Sequence, residues 1–181
     1  WPRVTSACGR MAASRKPLPN RPVVAVVADV LARHVPPHAR LVLGLSGGLD
    51  SVALLHVLLW LRDRHPFELR VVHVHHGLSP HADAWADFCA RLCASHGLES
   101  SIHHVVIARD DAAGIEAAAR RERQRIFAAL DADFLLTAHQ QDDQAETLLL
   151  QLLRGAGPKG LAAMAELQSR PGWRAAQLRP L

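Results

Sequence analysis

A doubly wound α/β domain built on a parallel sheet is the fold class that this sequence predicts. Three observations predict it. Short apolar runs alternate with longer helical stretches from about residue 22 to the end of the chain. A glycine pair, Gly47-Gly48, separates the apolar run Leu41–Leu45 from the apolar stretch Val52–Leu61, which reads as buried strand, tight turn, buried helix. Three polar clusters, at 46–51, 73–77 and 139–146, each follow a run read as a strand. Sheets of this class bind ligands beyond those strand ends, so the clusters converge on one site.

The elements follow in order. Val23–Val35 reads as a helix closed by Pro36-Pro37. Leu41–Leu45 is a strand and Ser51–Arg62 a helix. Leu69–Val74 is a strand. Ser79-Pro80 supplies an N-cap and first-turn proline for a helix running to His96 and stopped by Gly97. Ile102–Ile107 is a strand, Ile115–Leu130 a helix and Phe134–Ala138 a strand. Asp142–Arg154 is a helix stopped by Gly155, and Gln177–Leu181 enters a further strand. Residues 1–20 read as a disordered basic tail, with Met11 a plausible initiator. Pro17, Pro19 and Pro22 interrupt any amphipathic transit helix there.

Composition narrows the class. With 49% apolar residues over 181, the chain has the material for one α/β domain with a core. Val52–Leu61 is too short for a membrane span and is cut by His56. Cys8, Cys89 and Cys93 are odd in number and lack metal-ligand pairing, which reads as small buried hydrophobes in a reducing cytoplasm. The net charge of +4 hides an uneven distribution: +5 over residues 1–28, −4 over 29–157 and +3 over 158–181. The body is mildly acidic, so charge alone does not mark it as a nucleic-acid binder.

Ser46-Gly47-Gly48-Leu49-Asp50-Ser51 carries the most chemistry. A strand–turn–helix aims backbone N–H groups and the positive end of a helix dipole at one spot, and adjacent glycines let that backbone wrap an anion. Ser46 and Ser51 add hydroxyl donors, so the natural guest is a phosphate chain. A Walker A loop would place Lys near its end; here Asp50 stands there. A carboxylate facing phosphates is repulsive without a cation between them, so Asp50 suggests Mg²⁺.

At 139–147, His139 precedes Asp142, Asp143 and Glu146. Asp143 and Glu146 are three apart and share a helix face, where they can hold Mg²⁺ or bind and deprotonate an amine. His73-Val74-His75-His76-Gly77 closes the second strand. Zinc comes to mind, but no Cys or carboxylate accompanies it at familiar spacing, and nucleotide contact at the strand end is the stronger reading. Glu116 and Arg120 are spaced to support a helix. Arg120 and Arg123 are spaced to face the site together as cations for phosphate or RNA.

Ser-Gly-Gly-x-Asp-Ser resembles the pyrophosphate-binding loop of the N-type ATP pyrophosphatases. With His73–Ser79, Gly114-Ile115-Glu116, Arg120, Arg123, Asp142–Thr147, Arg154-Gly155, Gly160-Leu161 and Arg179-Pro180-Leu181, the chain resembles the bacterial tRNA(Ile)-lysidine synthetases from about residue 22 to 181. Two positions depart from that pattern: Gln140 replaces the second of paired histidines, and Gln124 stands where Tyr is frequent. The resemblance implies a Rossmann-like, adenine nucleotide alpha hydrolase-like domain over 21–181, without the C-terminal domains that help such enzymes hold tRNA. It implies ATP and Mg²⁺, a CAU-anticodon tRNA(Ile) and L-lysine as partners, and cytoplasmic work away from membranes. A homodimer is one assembly this reading leaves open.

The implied reaction adenylates the wobble cytidine and then displaces AMP with lysine. Ser46, Gly47, Gly48, Asp50, Ser51, His73 and His139 would bind the nucleotide, with Asp50 also on the metal. Asp50, Arg120, Asp143 and Glu146 would carry catalysis. Two alternatives stand beside it. A tRNA thiolase of the same superfamily would commonly carry Cys-x-x-Cys pairs, whereas Cys89 and Cys93 are four apart. A non-catalytic ATP-binding fragment would bind without turnover.

Overall fold

The computed structural model describes residues 22–108, 111–138 and 165–181. The elements are α1 (Pro22–His34), β1 (Arg40–Gly44), α2 (Leu49–Leu61), β2 (Glu68–His75), α3 (Ala82–Ser95), β3 (Ser100–His104), α4 (Ile115–Ala128), β4 (Phe134–Thr137), β5 (Leu167–Gln168) and β6 (Ala176–Leu178). The strands form one sheet in the order β3-β2-β1-β4-β6-β5. All neighbours are parallel except β5 and β6.

Alternation along β1 sets the two layers. Leu41 and Leu43 face one side, with Val27, Val30 and Leu31 of α1, Leu54, Leu55 and Leu58 of α2, and Cys89 and Cys93 of α3. Val42 faces the other, with Ala118, Ile126 and Phe127 of α4. Period-two side chains on a strand and 3.6-residue spacing on the helices make these faces meet. Leu41, Leu43, Leu54, Leu55 and Leu58 are wholly excluded from solvent. Truncating any one would leave a cavity costing about 2–5 kcal/mol.

Charged clamps tie the sheet to its flanking segments. Arg40 donates to Asp131 at 2.9 Å and to Asp133 at 3.1 Å, tying β1 to the approach to β4. Glu166 accepts two hydrogen bonds from Arg33 and lies 2.6 Å from His34 Nε2, tying α1 to the segment before β5. Burial pushes the Glu166 carboxyl up, but Arg33 and His34 outweigh it and hold the group below its ordinary range.

The sequence reading needs four corrections. The third strand ends at His104, not Ile107, because β2 stops at His75. The last rung is Val105 N–H to the His75 carbonyl. The helix after Ser79-Pro80 begins at Ala82, because Ser79 Oγ accepts the His81 N–H in a turn ahead of it. The sheet carries an antiparallel two-residue edge strand, β5, that the reading lacks. Glu116 and Arg120 form no ion pair with each other; among the described residues, α4 pairs Arg125 with Glu122 and Arg121 with Asp111 instead. The expected helix Asp142–Arg154, His139 and the basic tail lie outside the described residues.

Candidate nucleotide-binding site

A cavity of about 370 Å³ opens at the carboxyl ends of β1, β2 and β4. Gly44 and Leu45 end one wall. Val72 to His76 form a second, Arg123 and Phe127 of α4 a third, and Leu78, Ala82 and Trp85 the rim. The alternation of strand and helix produces this crevice, because consecutive crossovers leave the sheet in opposite directions there.

Ser46 and Ser51 line the cavity. Their loop is held by a closed set of hydrogen bonds. The Gly48 N–H donates to Ser46 Oγ at 3.3 Å, the two seryl oxygens are 3.1 Å apart, and Ser51 Oγ donates to the Gly48 carbonyl at 2.9 Å. Gly48 stands at the N-cap of α2 with no side-chain cap, so the first-turn N–H groups of that helix lack an intrahelical partner. Such N–H groups attract anions. Gly47 has φ +87°, where L side chains are strained. Gly48 is extended, at φ −75° and ψ 161°, a conformation open to any residue. The two glycines thus do different work: Gly47 makes the turn, and Gly48 keeps the loop surface bare.

His73 is 7% exposed and lines the cavity. Its Nδ1 lies 2.7 Å from the Leu45 carbonyl, which only accepts, so Nδ1 carries the proton. Burial lowers the His73 pKa, against the backbone hydrogen bond that raises it, and the His75 and His104 charges lower it further. The ring is therefore neutral near pH 7, with Nε2 left as an acceptor. His75 Nε2 donates to Asp83 at 2.8 Å. His76 follows the strand, so strand alternation does not aim it away, and it too lines the cavity. Burial chiefly, then Arg123, His73 and His75, lowers its pKa, and its Nδ1 is buried without a hydrogen-bond partner.

Among the other residues the sequence singled out, Arg123 lines the cavity. The residue as a whole is exposed. The surrounding protein and then Arg120 hold its pKa below the ordinary value. Asp50 sits half-buried in the first turn of α2, and Arg120 is exposed on α4; neither lines the cavity. Asp143, Glu146 and His139 lie outside the described residues. Sequence reasoning missed Trp85, Phe127 and Thr137. The available signal was an aromatic residue in the first turn of the helix that follows the His73–Gly77 cluster.

A pH test follows from His73. Its folded-state pKa lies below the 6.5 of an unperturbed imidazole, so the unfolded chain takes up the proton more readily. The stability tied to a neutral His73 is present above about pH 6.5 and is lost as pH falls through the folded value. The thermal midpoint is expected to drop between about pH 7 and pH 5, and His73→Gln to flatten that drop. An unchanged slope in calorimetric scans of the variant would rule the assignment out.

The sequence matches the PP-loop domain over residues 21–181. The chain belongs to the PP-loop family. Membership implies ATP binding, and residues 46–51 lie inside the matched span. The chain is 52% identical to the tRNA(Ile)-lysidine synthase of Azoarcus sp. (strain BH72) over 157 residues, covering 85% of this chain and 35% of that protein. It is 46% identical to the tRNA(Ile)-lysidine synthase of Alkalilimnicola ehrlichii, covering 84% and 35%. It therefore spans about a third of the length of the curated relatives it matches. Among solved structures it is similar to a U34-tRNA thiolase from Methanococcus maripaludis with its [4Fe-4S] cluster, at TM-score 0.70 and 22% identity, covering 88% of this chain and 58% of that one. That likeness shows a shared PP-loop fold. Among the described residues Cys89 and Cys93 are buried, and burial pushes the Cys89 thiol up to about 11. No described helix is long and apolar enough to cross a membrane.

Proposed function

We propose that this chain is the ATP-binding catalytic domain of a tRNA(Ile)-lysidine synthase, acting in the cytoplasm on a CAU-anticodon tRNA(Ile) with L-lysine. The observation that carries the proposal is the Gly47-Gly48 loop at the edge of a nucleotide-sized cavity lined by Val72, Phe127 and the imidazoles of His73 and His76, both with pKa values lowered by burial. The lysidine synthase name of relatives at about half identity supplies the reaction class.

The C2 carbonyl oxygen of the wobble cytidine attacks the α-phosphorus of ATP. The bond to the α–β bridging oxygen breaks, and pyrophosphate leaves toward the N–H groups of the PP-loop and the first turn of α2. The ε-amine of lysine then attacks C2 of the adenylated base, and AMP leaves with the former carbonyl oxygen. In this reading Asp143 and Glu146 bind the lysine ammonium and take its proton. Arg120, with Arg123, balances phosphate charge.

Asp50 is the residue that would hold Mg²⁺. It forms no ion pair or hydrogen bond among the described residues, although it stands beside the phosphate loop. The described residues contain no group of three or more metal-ligating side chains. One carboxylate completed by phosphate oxygens and water fits Mg²⁺, which binds through few protein ligands. When bound, the ion would neutralise charge on the departing pyrophosphate.

The test is direct. The full chain is incubated with ATP, lysine and a tRNA(Ile) transcript bearing CAU. AMP release that requires both tRNA and lysine, with lysidine found by mass spectrometry of the digested RNA, is the expected result. ATP binding without turnover, or turnover without lysidine, overturns it.

A further inference from the structure

We propose that the indole of Trp85 is a stacking platform for an unstacked base of the RNA substrate, positioning that base for attack at the nucleotide. This rests on the function proposed above and adds a residue to it.

Trp85 is 48% exposed, an unusual state for a large aromatic side chain that also lines a cavity. It belongs to the rim. The deep wall is made by Val72 and Phe127, at 1% and 7% exposure. A Cβ on Gly47 would lie 3.8 Å from Trp85 Cβ, so the indole rises from beside the phosphate loop. Leu78, also on the rim, is 44% exposed, and Leu49, two residues beyond Gly47, is 84% exposed. Trp85 and Leu78 thus give the cavity rim two exposed apolar side chains.

The reaction chemistry says what comes there. A base whose carbonyl oxygen must reach the α-phosphorus has to leave its own stack and lie beside the loop. Losing stacking is costly, and an aromatic face restores it for any base. Adenine has a different place, in the buried part of the cavity beside His73. The local charge agrees: Asp83 and Asp87, the acidic neighbours of Trp85 on α3, are exposed. Carboxylates repel an RNA backbone, so this contact suits the neutral face of a base and not a phosphate.

The probe is an anticodon stem-loop with a fluorescent cytidine analogue at the wobble position, added to the full chain. In the parent, binding is expected to quench the analogue. Trp85→Leu keeps apolar bulk and removes the aromatic face; it should abolish the quenching and raise the RNA KM by about tenfold or more. Its KM for ATP and its thermal midpoint should stay unchanged, and Trp85→Phe should restore part of the quenching. Parent-like quenching and RNA KM in the Leu variant overturn the proposal. A raised ATP KM with intact RNA binding reassigns Trp85 to adenine and also overturns it. If the parent makes no lysidine yet still shows Trp85-dependent quenching, the reaction assignment fails and the stacking site stands.

Discussion

Gly47→Val is expected to abolish ATP binding, with a Kd weaker by at least roughly a hundredfold, about 2.7 kcal/mol. Two effects add. The residue holds φ +87°, where a β-branched side chain is an outlier. A Cβ there would already touch Cys89 Sγ at 3.4 Å, leaving no room behind for valine methyls. The loop must move, and its N–H groups lose their common aim. Gly48 provides the contrast. Its extended backbone accepts a side chain without strain, and a Cβ there meets only Ser46 Oγ at 3.4 Å. Gly48→Val should keep the parent's thermal midpoint and lose affinity only through occlusion of the phosphates. Calorimetric titration with ATP, beside thermal scans, separates the two; parent-like affinity in the Gly47 variant would place the nucleotide elsewhere.

Asp50→Asn should lower the rate of tRNA adenylation by about two to three orders of magnitude, the effect typical of losing one electrostatic contact to a transition state. The side chain is isosteric and takes part in no described ion pair or hydrogen bond. Stability should therefore stay within about 0.5 kcal/mol of the parent. Pyrophosphate release measured across a Mg²⁺ series is the decisive assay. The variant should need more Mg²⁺ or fail to saturate. A parent-like rate and Mg²⁺ dependence would exclude Asp50 from the metal.

The layered sheet was legible because its signals are local. Leu41–Leu43 and Leu54–Leu58 repeat at strand and helix periods that any reader of the sequence can follow. The loop at 46–51 was legible because its chemistry is contiguous. What escaped depends on contacts between distant residues. β5 is two residues long, too short for alternation to register, and exists only because Leu167 and Gln168 meet Leu178 and Gln177. The end of β3 is fixed by the end of β2, not by Val105 or Ile107, which are apolar and buried without being strand. The neutrality of His73 comes from burial, and its tautomer from the carbonyl of Leu45, 28 positions away. The different roles of Gly47 and Gly48 rest on backbone angles that a glycine pair does not disclose. Trp85 was hidden because its place at the cavity rim depends on how its helix packs beside Gly47, 38 positions earlier.

The sheet's two margins carry unequal hazards of self-association. One ends in β5, a pair of residues that runs against the parallel direction and gives an incoming chain almost nothing to extend. Among the described residues the other ends in β3, five residues with no strand on their outer side and Ile102 at 36% exposure. Its sequence, Ser-Ser-Ile-His-His, is protective: hydroxyls and imidazoles outnumber the one branched hydrocarbon. Self-association at high concentration should accordingly start from the β3 margin and not from β5.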